Sequence, residues 1–182
     1  MQPHTLACQA IGAIGPGAAS AVPDLVKFVE NVDRSNLIRY NNSARQTAGL
    51  AVLALGAMGP IALPALIALS ARVPEVEGTA CVAIEKMGPQ VLPTLIPLIP
   101  RSQFVCRAVE GIIRHMPNKS DAVIAVPALI EALKTNYSQE SFHALEAIGY
   151  PALPALREHT GFGVRSEIKD TAKLIIRNIE GR

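Results

Sequence analysis

A short punctuation mark recurs along the chain and limits the folds open to it. Gly59-Pro60-Ile61-Ala62-Leu63-Pro64-Ala65-Leu66 returns as Gly88-Pro89-Gln90-Val91-Leu92-Pro93-Thr94-Leu95, and again as Gly149-Tyr150-Pro151-Ala152-Leu153-Pro154-Ala155-Leu156. Two looser copies run from Gly15-Pro16 to Ala21-Val22-Pro23-Asp24-Leu25 and from Met116-Pro117 to Ala125-Val126-Pro127-Ala128-Leu129. The second prolines are Pro23, Pro64, Pro93, Pro127 and Pro154. Spacing of roughly thirty residues is the signature of a repeat architecture, in which one supersecondary unit buries its apolar face against its neighbours. The longest interval holds the polar stretch Asn31 to Ser43, which reads as an extended loop.

The residues before each mark read as a helix. One step before the glycine sit Ile14, Met58, Met87 and Ile148; four before, Ile11, Leu55, Ile84 and Leu145; five before, Ala10, Ala54, Ala83 and Ala144; eight before, Ala7, Ala51, Ala80 and Ser141. Offsets of three and four place these residues on one helical face. Ala54 and Ala83 are expected where paired helices approach closely. Glycine ends each helix because it tolerates a left-handed cap, and the proline after it cannot continue the helix but can start another. After the second proline a further apolar stripe follows, as in Leu92, Leu95, Ile96, Leu98 and Ile99. The pattern predicts first helices over 4–14, 43–58, 76–87, 102–115 and 138–148, and second helices over 20–32, 61–71, 90–99, 122–134 and 152–159. Whether the second proline kinks its helix or starts it is open at the level of sequence. Val164 to Arg182 lacks the mark and carries Ile168, Ala172, Ile175, Ile176 and Ile179, the spacing of one amphipathic capping helix.

The expected fold is all-α: a right-handed α-solenoid of about five stacked antiparallel helix pairs plus a C-terminal capping helix. It forms one domain over 1–182, with repeats of about 1–36, 37–72, 73–100, 101–135 and 136–160 and the cap over 164–180. Composition agrees. Hydrophobic residues make up 49% of the 182 and charged residues 18%, so a core is available. Tryptophan is absent and the aromatics are few (Phe28, Phe104, Phe142, Phe162, Tyr40, Tyr137, Tyr150), leaving Ala, Leu, Ile and Val to pack the helices.

The net charge of +2 provides no strong field for nucleic acid or an anionic membrane, and neither is expected as a partner. Cys8, Cys81 and Cys106 lack metal-type spacing, and an odd, sparse set fits a reducing, cytoplasmic compartment. Met1 to Ala10 has neither the basic nor the apolar region of a secretory signal. Gln46 to Ala71 is free of charge and long enough to span a bilayer, but Gly59-Pro60 and Pro64 interrupt it, and the same marks recur in charged segments. Ile179-Glu180-Gly181-Arg182 spells a protease-recognition tetrapeptide, and the sequence alone assigns it no function.

The copies Ala7 to Pro16 with Ala21 to Leu25, and Ala51 to Leu66, resemble the HEAT-like repeats of phycobilisome-lyase-type proteins. The resemblance covers roughly residues 4–160. It implies antiparallel helix pairs in a right-handed superhelix with the second helices lining the concave side. It leaves activity open, because fold does not fix function. A bilin lyase-type enzyme or enzyme subunit is the alternative function it suggests.

Catalytic readings find little support. His4, His115, His143 and His159 include one pair, His143 and Glu146, on a shared helix face, but the adjacent His-Glu doublets of di-iron HEAT hydroxylases are missing. HEAT-like DNA glycosylases pair an aspartate with aromatics in a basic channel; here Asp24 is the one aspartate inside a second-helix motif. Cys8 and Cys81 share a repeat position held elsewhere by Val52 and Phe142, and read as small core hydrophobes. No catalytic residue, cofactor or metal site is assigned.

The outward stripe of the second helices is more informative. One and four residues after the second proline lie Asp24 and Lys27, Ala65 and Ala68, Thr94 and Pro97, Ala128 and Glu131, and Ala155 and Glu158. The middle of this ladder is small and uncharged, a face suited to an extended peptide or helix. Arg72, Arg101 and Lys134 end three successive second helices and form a candidate basic row, although cations there also complement the helix dipole. The expected function is a non-catalytic protein–protein interaction scaffold. Lys27, Ala65, Ala68, Arg72, Thr94, Pro97, Arg101, Glu131 and Lys134 are its candidate contacts, and the partner is another protein or peptide, with a homo-oligomer as one candidate.

Overall fold

The computed structural model describes residues 3–35, 41–135, 138–161 and 166–181. Tyr40, Tyr137, Phe162, Arg182, the middle of the Asn31–Ser43 loop and the start of the expected capping helix lie outside these residues. The fold is all-α, with no strand among the described residues. The first helices are α1 (Pro3–Ile14), α3 (Asn42–Ala57), α5 (Glu77–Met87), α7 (Gln103–His115) and α9 (Ser138–Ile148). The second helices are α2 (Val22–Arg34), α4 (Leu63–Arg72), α6 (Leu92–Leu95), α8 (Val126–Ala132) and α10 (Leu153–Glu158), followed by α11 (Ser166–Glu180).

The marks act as the turn chemistry requires. Gly15, Gly59, Gly88 and Gly149 all have positive φ, between 63° and 77°. Gly88 combines φ 77° with ψ −167°, and Gly149 φ 73° with ψ −140°. These are extended positive-φ conformations, more exclusive to glycine than the left-handed helical cap expected. Met116 stands where the fifth glycine would be, and it solves the turn differently. Pro117 disfavours helical backbone in the residue before it, so Met116 is extended at φ −67° and ψ 132°. Asn118 then caps a new turn by accepting from the Ser120 amide at 3.1 Å.

The second proline starts its helix. Pro23, Pro64, Pro93, Pro127 and Pro154 each occupy the second residue of an α-helix, where the missing N–H costs no intrahelical bond. Short 3-10 segments, such as Gly59–Ala62 and Pro89–Val91, fill the gap from glycine to helix. The second helices therefore begin later than the apolar pattern suggests. The third is further shortened: after Leu95 the chain continues as a 3-10 segment, Ile96–Arg101, because Pro97 and Pro100 lack amide donors.

The chain packs as two compact units, Met1–Val91 and Leu92–Arg182, whose boundary falls inside the third mark. In the first unit α1 packs on α3 and α3 on α5, while α2 and α4 pack on each other and on the first helices. Gly12 lies against Ala54 and Gly56 against Ala83, so the residue three before one mark meets the residue five before the next. Ala54 and Ala83 thus sit at close approaches, but between successive first helices and not within a helix pair. In the second unit α7 packs on α9, α8 on α9 and on the Ile96–Arg101 segment, and α11 covers α9 and α10.

The apolar faces form the cores. Leu55, Leu66, Leu69 and Ile84 are fully buried in the first unit, and Leu95, Val109, Ile113, Leu129, Leu145 and Leu156 in the second. Helix α1 departs from the pattern: Ala7 and Ala10 are exposed and Ile14 is 61% exposed, although their counterparts Ala51, Ala54 and Met58 are buried. In α3 that face is covered by α1. Gln46–Ala71 is split by the Gly59 turn into α3 and α4, both packed in the first unit. Pro3–Arg34 has the length and apolarity of a membrane span, but Gly15 at φ 63° and the Gly15–Ala21 3-10 segment divide it.

Candidate functional site

In the first unit the stripe after the second proline places Lys27 on the surface of α2 and Ala65 and Ala68, half-buried, on α4. The small side chains leave the α4 backbone close to this surface, and no charge stands between Pro64 and Arg72. Arg72 is not free to join a basic row. Its Nη1 donates to Glu30 Oε1 at 2.6 Å, and Arg34 shares the same carboxylate at 3.8 Å. A helix-end cation is thus tied to the preceding second helix.

In the second unit Thr94 and Pro97 are exposed, as are Arg101, Glu131 and Lys134. Thr94 lies on the short α6 and Pro97 in the 3-10 segment, where residues three apart lie directly above one another. The two therefore share a face despite the loss of the α-helix. Lys134 Nζ is paired with Glu131, one turn earlier, so this cation too is engaged locally. The stripe survives as a surface on each unit, while Arg72 and Lys134 serve intramolecular pairs.

The other polar clusters have structural uses. His143 Nδ1 lies 3.8 Å from Glu146 Oε2, and Glu146 Oε1 accepts a hydrogen bond from Asn178 Nδ2 at 2.5 Å, joining α9 to α11. Arg114, Lys119 and Ala147 complete a small hollow of about 360 Å3 around the pair. Among the described residues no three His, Cys, Asp or Glu side chains converge as metal ligands would. Nδ1 of His115 and of His159 each faces the carbonyl four residues earlier, at 2.8 Å and 3.0 Å, and the His4 ring lies tilted against Phe28 with centroids 5.5 Å apart.

The three cysteines are buried, and none is joined in a disulfide among the described residues. Burial raises the Cys8 thiol above its ordinary range. Cys106 is pushed up to about 11, first by burial and then by the nearby Glu140 carboxylate, against an opposing hydrogen bond from Ser141. Its Sγ lies 3.1 Å from the Ile99 carbonyl. A reactive cysteine requires the opposite environment.

Two grooves were not foreseen. In the first unit a hollow of about 530 Å3 lies among Pro16, Gly56, Gly59, Pro60, Lys86 and Gln90, at the end of the stack where the marks turn. In the second unit an open groove of about 850 Å3 lies along α10 and α11, lined by Arg157, Lys169, Lys173, Ile176, Arg177 and Glu180. The recurrence of Lys169, Lys173 and Arg177 at four-residue steps was visible in the sequence, but the helix reads there only as a cap. Arg157 could not be connected to them until the fold placed α10 beside α11.

Comparison with protein-family models finds no match, and comparisons with curated proteins and with solved structures find none either.

Proposed function

We propose that the chain is a non-catalytic helical-repeat scaffold of the HEAT-like kind, whose helix pairs stack in solenoid fashion within each unit and whose second helices hold a protein or peptide partner. The observation that carries this reading is the charge-free stripe of α4 with its half-buried Ala65 and Ala68, continued in kind by the exposed Thr94 and Pro97. Solvated helix faces ordinarily carry charge, and an apolar surface of small side chains lets a partner backbone approach closely. Recurrent positive-φ glycines, helix-starting prolines and series packing of the first helices support the repeat reading.

The test is capture of a partner from native extract on the immobilised chain, compared with Ala68→Glu and Thr94→Arg. Partner capture by the parent chain and its loss in either variant, with helicity and melting temperature retained, supports the proposal. Capture unchanged in both variants places the binding face elsewhere. A bilin lyase-type reading predicts instead that the chain binds a free bilin, and spectral titration with the pigment distinguishes the two.

A further inference from the structure

The groove along α10 and α11 carries more charge than its surroundings explain. Lys169, Lys173 and Arg177 recur every fourth residue on one face of α11, and Arg157 faces them from α10. None of the three on α11 pairs with a carboxylate among the described residues. Like charges one turn apart oppose formation of the helix that bears them, so the arrangement works against local stability. Arg157 differs: its Nη2 donates to Glu180 Oε1 at 2.8 Å. The groove already holds one carboxylate, the chain's own.

We propose that this groove binds an acidic helical peptide segment of a partner protein. Cations four residues apart on a helix are spaced by about 6 Å, the repeat of carboxylates four residues apart on a second helix laid alongside. Lys169 to Arg177 spans about 12 Å, or two turns of such a helix. Ile176, half-buried in the groove wall, offers an apolar seat between the charges. Nucleic acid fits less well. Among the described residues no aromatic side chain lines the groove for base stacking, Glu180 repels phosphate, and the chain's net charge is only +2. The groove shares no lining residue with the Ala65–Ala68 and Thr94–Pro97 surfaces, and the proposal stands independently of the function proposed for them.

The full chain is titrated by fluorescence anisotropy with a labelled sixteen-residue peptide bearing glutamate at every fourth position, with alanine and leucine between. A glutamine counterpart and a single-stranded oligonucleotide of equal charge are the comparison probes. The glutamate peptide is expected to bind at least about tenfold tighter than the glutamine peptide, and to weaken as salt rises. Lys173→Glu and the milder Lys173→Gln are expected to weaken it, the former by about tenfold, while Lys173→Arg holds affinity within about twofold. Glu180→Gln is expected to tighten binding several-fold, since it frees Arg157 and removes the competing carboxylate. Equal binding of both peptides, tighter binding of the oligonucleotide, absence of binding by any probe, or indifference to the Lys173 variants with helicity intact each overturns the proposal.

Discussion

Replacing Gly56 by alanine isolates the contact on which the first unit is built. An alanine Cβ there would lie 2.7 Å from Ala83 Cβ, 3.0 Å from Ala83 Cα and 3.2 Å from the Ala83 carbonyl oxygen. Carbon atoms prefer about 3.5–4.0 Å, so α3 and α5 must separate by roughly 1 Å. Two of the three obstructing atoms are backbone, and no rotamer change relieves them. Against this stands a gain in helix propensity of about 0.5–1 kcal/mol, because Gly56 lies inside α3. Overpacking a core costs about 1–3 kcal/mol, and the rigid neighbours favour the upper part of that range. The expected result is a net loss of about 1–2 kcal/mol and a melting temperature lower by about 2–8 °C. Gly12→Ala is the control. Its Cβ would meet Ala54 Cα at 3.4 Å and Cβ at 3.5 Å, ordinary contacts, so the propensity gain prevails. Urea and thermal unfolding followed by circular dichroism measure both. A Gly56→Ala protein as stable as the parent, or more so, refutes the close approach of α3 and α5.

Three further outcomes follow from the same structure. Gly88→Ala meets nothing within 4 Å, so its expected loss of about 1–3 kcal/mol is backbone strain alone at φ 77°, and an unchanged unfolding midpoint would argue against the turn. Ala83→Leu and Ala54→Leu are expected to destabilise by about 1–3 kcal/mol each, and equal melting temperatures would contradict their placement between first helices. Cys106 should resist iodoacetamide at pH 8 until the chain is unfolded. Since its folded pKa is raised from 9.0 to about 11, its contribution to stability is complete below pH 9 and lost as pH climbs through 11; a pH titration of unfolding free energy in a Cys8→Ser, Cys81→Ser background, with and without Cys106→Ser, checks the sign.

Much of the fold was legible because turn chemistry and helix period agree. The glycines at 15, 59, 88 and 149 require positive φ, and the residues one, four, five and eight before them share one face; both can be read without knowledge of what packs where. The second helices were harder to place. A proline within an apolar stripe is compatible with a kink or a start, and the choice depends on the 3-10 turn that the preceding glycine sets up. The exposure of Ile14 was hidden, since its sequence context matches that of the buried Met58, and what distinguishes them is that no helix among the described residues covers Ile14. In the candidate site, the lack of charge on α4 was readable. The engagement of Arg72 with Glu30 was not, because it joins residues on different second helices. The Arg157–Lys173 groove was missed for the same reason: its two walls meet only in the folded unit.

Hydrogen exchange, measured by mass spectrometry on the chain alone and with its captured partner, tests the scaffold reading most directly. The account predicts that partner binding slows exchange in peptides covering 63–72 and 92–101, with the first helices Pro3–Ile14 and Gln103–His115 unchanged. Protection confined to those first helices, with 63–72 and 92–101 unaffected, would contradict it.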